Sequence, residues 1–163
     1  MPVAKVLIAN TSKKYRVDND TCLGFDFGIK KIGIAVGSLE TAIANPLRTL
    51  RAVQQKPDWQ NISSLITEWK PGQLVVGISH QQNGSDNPVT PVIKRFCRQL
   101  EGRYGLPVHQ LDEQLTTFEA KQLLFDDLKT NAKDLWQIQD QLAAQLILQT
   151  WLNDKRQRER LND

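Results

Sequence analysis

The 163-residue chain is short of the residues that mark several functional classes. It has two cysteines, Cys22 and Cys97, and two histidines, His80 and His109. The histidines are far apart and neither shows a ligand spacing, so no zinc cluster is expected. Both cysteines fall in apolar-periodic segments and read as free buried thiols, which points to a reducing, cytoplasmic setting. No apolar run approaches the roughly 18 residues of a membrane span. The N-terminal VAKVLIA is short and broken by Lys5, which argues against a secretory signal. A Walker-type glycine loop and a nucleophile constellation are also lacking.

Charge of one sign is lacking too. The net charge is +3, with four basic residues against two acidic in 1–20 and four against three in 154–163. The stretch between is balanced, so charge permits a polyanionic partner without arguing for one. The ends read as a polar N-terminal segment, 1–20, and a charged C-terminal tail, 156–163. Between them a single domain is expected over 21–155.

Apolar residues alternate at Leu23, Phe25 and Phe27, and again at Ile32, Ile34 and Val36, on either side of the turn GIKK. This is a hairpin, and AIANPLRTL can add a third strand, part of which Pro46 demotes to an edge or a bend. Asp58 can cap a helix with Ile62, Leu65, Ile66 and Trp69 inward, closed by KPG. QLVVGI, 73–78, is a central strand. A polar loop, 79–88, leads to a helix with Val89, Val92, Ile93, Phe96 and Leu100 inward. LPVHQLDE is a further strand, LTTFEAKQLLFDDL a helix, and most of 135–155 a last helix. Three antiparallel strands followed by alternating helices and strands make an α/β fold, a mixed sheet with helices on its faces.

Asp26 lies in a strand rich in large apolar residues, on the side opposite Phe25 and Phe27. A carboxylate there needs a cation or donors, unless it serves as a turn aspartate. Asp112 and Glu113 end a strand and point to opposite faces, so one of the two at most serves a given centre. Asp140 shares a helix face with Ala143, Ala144, Ile147 and Trp151, which is no solvated position, although an early-turn aspartate also favours the helix dipole. Glu119 is better explained by a capping box, TTFE. Acids drawn together from two strand ends and a helix repel until a divalent cation intervenes. Oxygen ligands suit Mg²⁺ or Mn²⁺.

DFGIKKIGIA, VVGISHQQNG, GLPVHQLDEQLTTFEA and DQLAAQLIL stand in this order over residues 22–152. In these four blocks the chain resembles the YqgF/RuvX family, Holliday-junction-resolvase-like nucleases of the ribonuclease H-like superfamily. The resemblance implies a ribonuclease H-like mixed five-stranded sheet with helices on both faces. It implies metal-binding, catalytic acids at Asp26, Glu113 and Asp140, holding one or two Mg²⁺ or Mn²⁺ ions. Family members are implicated in maturing the 5′ end of 16S ribosomal RNA, and were earlier proposed to resolve Holliday junctions. The expected partners are therefore nucleic acid (precursor rRNA or branched DNA) and ribosomal particles, with the protein a monomer or homodimer. Lys31 stands where the family commonly has arginine, Ser79 and Asn83 where it has Pro and Asp, and Gln114 where it has Arg.

Lys30 and Lys31 follow Asp26 closely enough to hold a backbone phosphate, though a lysine pair in a turn is also simply solvated. Lys94, Arg95, Arg98 and Arg103 add positive charge on one helix. The expected reaction is metal-assisted phosphodiester hydrolysis. A non-catalytic nucleic-acid-binding ribosome-assembly factor shares every motif and is separated from an enzyme by a cleavage assay. A sugar-kinase or actin-like ATPase also opens on a D-x-G hairpin, but needs a second such domain.

Overall fold

The computed structural model describes residues 15–78, 88–113 and 139–162, with the backbone alone for 135–138. The expected helix with Leu123, Leu124 and Leu128, the Glu119 capping box, and the positions Ser79, Asn83 and Gln114 lie outside the described residues. Five strands form one sheet: β1 (Asp18–Asp26), β2 (Lys31–Ser38), β3 (Ile43–Arg51), β4 (Pro71–Ile78) and β5 (Val108–Asp112). Their order is β3-β2-β1-β4-β5. β1 pairs antiparallel with β2 and β2 with β3, whereas β4 runs parallel to both β1 and β5. The hairpin and the mixed sheet are as the sequence predicts. Pro46 lies on edge strand β3, and the pairing register shifts where it opposes Ala35, a place where a missing N–H costs the ladder little.

Helices α1 (Trp59–Trp69) and α2 (Thr90–Tyr104) cover one face of the sheet. Asp58 caps α1 by accepting from the Asn61 amide at 3.2 Å. Lys70, in the left-handed conformation, closes it with a bond to the Ile66 carbonyl. Gly105 ends α2 in the same way at φ 64°. Ile62, Leu65 and Ile66 of α1 and Ile93, Phe96 and Leu100 of α2 meet Leu23, Phe25, Ile34, Leu74 and Val76 of the sheet. Phe25 and Phe96 meet edge to face, 5.8 Å apart. Val92, read from spacing as inward, is instead 40% exposed. Tyr104 and Ser63 share a 2.8 Å hydrogen bond that ties the two helices together.

The other face carries α3 (Leu135–Asn162), which runs beyond the 135–155 expected from the sequence. Ala144, Ile147, Leu148 and Leu152 pack on Cys22, Ala35, Ala44, Val75 and Leu111. Glycines let the helix lie close, since a Cβ on Gly24 would stand 2.7 Å from the Leu148 Cβ. Its seat along β3 is polar. Gln149 accepts from the Ala44 amide at 2.9 Å and donates to the Ala42 carbonyl at 2.7 Å, and Gln145 donates to the Ala44 carbonyl at 2.9 Å. These bonds satisfy backbone groups at the sheet edge and hold the middle of α3 against it. Among the described residues no helix is long and apolar enough to cross a membrane.

Candidate functional site

Strand alternation assigns Asp26 its face. Leu23 and Phe25 point to α1 and α2, whereas Cys22 points to α3. Asp26 therefore points to α3, as Cys22 does. It is the last residue of β1 and sits half-buried opposite Gly33 of β2. Gly33 is where α3 comes down on the sheet. A Cβ there would stand 1.9 Å from the Asp140 carbonyl oxygen and 2.9 Å from the Asp140 Cβ. The absent side chain lets Asp140 rest directly over the cross-strand neighbour of Asp26.

Glu113 arrives from the other side. Leu111 packs on α3, so Asp112 faces the opposite side and Glu113, just past the end of β5, returns toward α3. A Cβ on Gly77 of β4 would lie 2.9 Å from Glu113 Oε1 and 2.5 Å from Ile147 Cδ1. The Glu113 carboxylate thus lies over β4 in a gap that glycine leaves. β4 is the parallel neighbour of β1, with Phe25 beside Val76 one step earlier. Asp26, Glu113 and Asp140 accordingly share the α3 face, over the carboxyl ends of β1, β4 and β5, which is where sites gather in sheets of this kind.

The acids share a face without closing into a tight cluster. Among the described residues no three His, Cys, Asp or Glu side chains are grouped so as to hold a metal ion. Asp140 Oδ2 lies 2.9 Å from Lys31 Nζ, yet it is buried and has no well-aligned hydrogen bond. The ammonium is near enough to neutralise the carboxylate. Sequence reasoning gave Lys31 to phosphate and missed this partner. The signal was its spacing, since Lys31 and Gly33 alternate to the same face. Lys30 is exposed in the turn, where its carbonyl accepts from the Ala52 amide at 2.8 Å.

The donor set is nonetheless right for a hard cation. Three carboxylates, one with a buried oxygen lacking an aligned donor, suit Mg²⁺ or Mn²⁺ and would suit zinc poorly. The cysteines take no part: both are buried, with burial raising the Cys22 thiol to about 12 and the Cys97 thiol to about 11. His109 is also remote in role. It bonds Gln73 at 2.7 Å and packs on the Trp151 ring, and burial followed by Lys155 lowers its pKa.

Residues 20–154 match the family RuvX, described as Holliday junction resolvase. The chain belongs to this family. A Methylococcus capsulatus protein named "Putative pre-16S rRNA nuclease" is 53% identical over 82% of this chain and 88% of its own length. Proteins of the same name from Nitrosococcus oceani and Coxiella burnetii are 47% and 43% identical, covering 82% and 85% of this chain and 86% and 96% of their own. Among solved structures, the fowlpox virus Holliday junction resolvase superposes with a TM-score of 0.51 at 11% identity, over 82% of this chain and 99% of that one. At that identity the likeness establishes the RuvX-family chain's fold, the ribonuclease H-like arrangement expected from the sequence, and nothing of its substrate.

Proposed function

We propose that the protein is a divalent-metal-dependent phosphodiester hydrolase that processes the 5′ end of precursor 16S rRNA. The observation supporting this reading is that strand alternation turns Asp26 to the face carrying α3, where Gly33 leaves room for Asp140 and Gly77 for the Glu113 carboxylate. Family membership supplies nuclease chemistry, and the names of the curated relatives point to the rRNA substrate.

Asp26, Glu113 and Asp140 would hold one or two Mg²⁺ or Mn²⁺ ions. When bound, such an ion lowers the pKa of water and offsets charge developing on the phosphate. The chain supplies the rest. Asp26 fixes its carboxylate from a strand rather than a loop, with Phe25 locked in the core behind it. Gln145 and Gln149 hold α3, and with it Asp140, in register with the sheet. Lys31 keeps Asp140 neutralised and stands ready to meet a phosphate oxygen arriving at the same spot, while Lys30 offers an exposed charge to the flanking backbone. The Asp112 face is turned away and contributes no ligand.

The test is cleavage of a precursor 16S rRNA end and of a four-way DNA junction side by side, with Mg²⁺ and with chelator. Parent protein should cut the rRNA precursor in Mg²⁺ alone, and Asp26→Asn should not. Equal cutting by parent and variant, or cutting in chelator, refutes the reading. Preferential cutting of the junction replaces the substrate and keeps the chemistry.

A further inference from the structure

A cavity of about 380 Å³ opens on the sheet face opposite the acids, between the β1–β2 turn, the end of β3, and helices α1 and α2. Its size falls in the range of small-ligand sites, about 300–1,000 Å³. Its lining has two parts. The floor is aromatic, with Phe27 tilted on Phe96 at 4.9 Å and Trp59 stacked on Phe96 at 5.6 Å. The walls are basic, with Lys56, Arg95 and Arg103 all exposed.

Among the described residues none of these three basic groups forms an ion pair. Asp58, the one acid in the lining, is committed to Asn61 through its amide at 3.2 Å and its Nδ2 at 2.6 Å. Arg103 is also held in place, its guanidinium 4.1 Å from the centre of the Trp59 ring. Trp59 is thus engaged by both Phe96 and Arg103 and is no free stacking platform. Instead it fixes a planar cation whose other face is turned from the ring. Two apolar residues complete the rim, Ile29 at 59% exposed and Val92 at 40%. Exposed apolar side chains beside cations that form no ion pair among the described residues match a ligand with a flat apolar part and a negative part.

We infer that this cavity binds an unpaired nucleotide of the nucleic-acid strand, its base against the apolar floor and rim and its phosphate on Arg95, Arg103 and Lys56. Its occupant's identity rests on the nucleic-acid reading above. The β1–β2 turn joins the two places, since Lys31 lines the cavity and also reaches Asp140. A strand seated in the cavity can therefore cross the turn to the acids. Such a site would select substrates with a single-stranded segment beside the scissile bond.

The test measures binding, by fluorescence anisotropy in chelator, to a blunt RNA duplex and to the same duplex with a single-stranded RNA or DNA overhang. Gln99→Trp fills the cavity without changing charge, because Gln99 lines it half-buried. Val92→Glu, at an exposed rim position, covers the case in which Gln99→Trp fails to fold. Each variant, and Arg95→Ala, should lose about tenfold for the overhang, the size of one base contact. Binding to the blunt duplex should change by less than about twofold after Gln99→Trp. Arg95→Ala should also lower the salt dependence of overhang binding by about one unit of slope.

Overhang binding unchanged in Gln99→Trp and Val92→Glu overturns the inference. So does equal weakening of blunt and overhanging substrates by Arg95→Ala, which describes a diffuse basic face. Tight binding of an acidic peptide in place of the overhang overturns it as well. A parent protein that binds the overhang through the cavity yet cleaves nothing in Mg²⁺ refutes the nuclease reading and leaves this inference standing.

Discussion

Gly33→Ala perturbs the site through a single carbon. The added Cβ would stand 1.9 Å from the Asp140 carbonyl oxygen, where ordinary contact begins at 3.4 Å. Relief needs a retreat of about 1.5 Å, either of the start of α3 or of β2. The obstacle is backbone on both sides, so no rotamer change absorbs it. Overpacking of this kind costs about 1–3 kcal/mol, which for a chain of this size lowers Tm by roughly 3–10 °C. Cleavage should suffer more than stability, because a displacement of about 1 Å can cost on the order of a hundredfold in rate. Gly102→Ala is the control: a Cβ there meets nothing within 4 Å inside α2, and the change should stabilise by about 0.4–1 kcal/mol. Differential scanning calorimetry and precursor-rRNA cleavage read both effects. A Gly33→Ala protein with parental Tm and parental cleavage would refute the claim that this glycine seats Asp140.

Lys31→Met removes the ammonium beside Asp140, so Mn²⁺ affinity should rise while RNA affinity falls; a fall in both contradicts the account. His109, whose folded pKa is lowered by burial and then Lys155, resists protonation in the fold. The unfolded chain then binds the proton first, so stability present above the ordinary histidine value of 6.5 is lost as pH falls toward the lower folded value. Urea midpoints at about pH 7.5 and about pH 5.5 should converge in His109→Gln relative to the parent, and parallel losses argue against it. Thiols held at about 12 and about 11 stay protonated, so a disulfide reagent should label neither cysteine natively and both in denaturant. Rapid native labelling contradicts their burial.

The alternation through Leu23, Phe25, Ile32 and Ile34 made the hairpin legible, because period two follows directly from one buried face. Asp58 and KPG marked the bounds of α1 through local capping chemistry. Asp26 and Asp140 were legible as carboxylates facing apolar surroundings. Which of Asp112 and Glu113 faces α3 was not fixed by alternation alone, since that depends on which face α3 covers, and Leu111 supplies it only in three dimensions. The Lys31–Asp140 pair joins residues that no local rule connects. Val92 misled because helical spacing cannot tell a core position from a cavity rim. The C-terminal stretch beyond 155 carries a solvated, charged pattern with little apolar periodicity, so its helical continuation to Asn162 left no mark in the sequence pattern.

The most direct measurement is a Mn²⁺ titration by calorimetry on the parent and four single variants. Asp26→Asn, Glu113→Gln and Asp140→Asn should each weaken Mn²⁺ binding by at least about tenfold, while Asp112→Asn leaves it near the parental value. A parent that binds no Mn²⁺, or an Asp112→Asn variant that loses as much as Glu113→Gln, contradicts the claim that these three acids form one cation site on the α3 face.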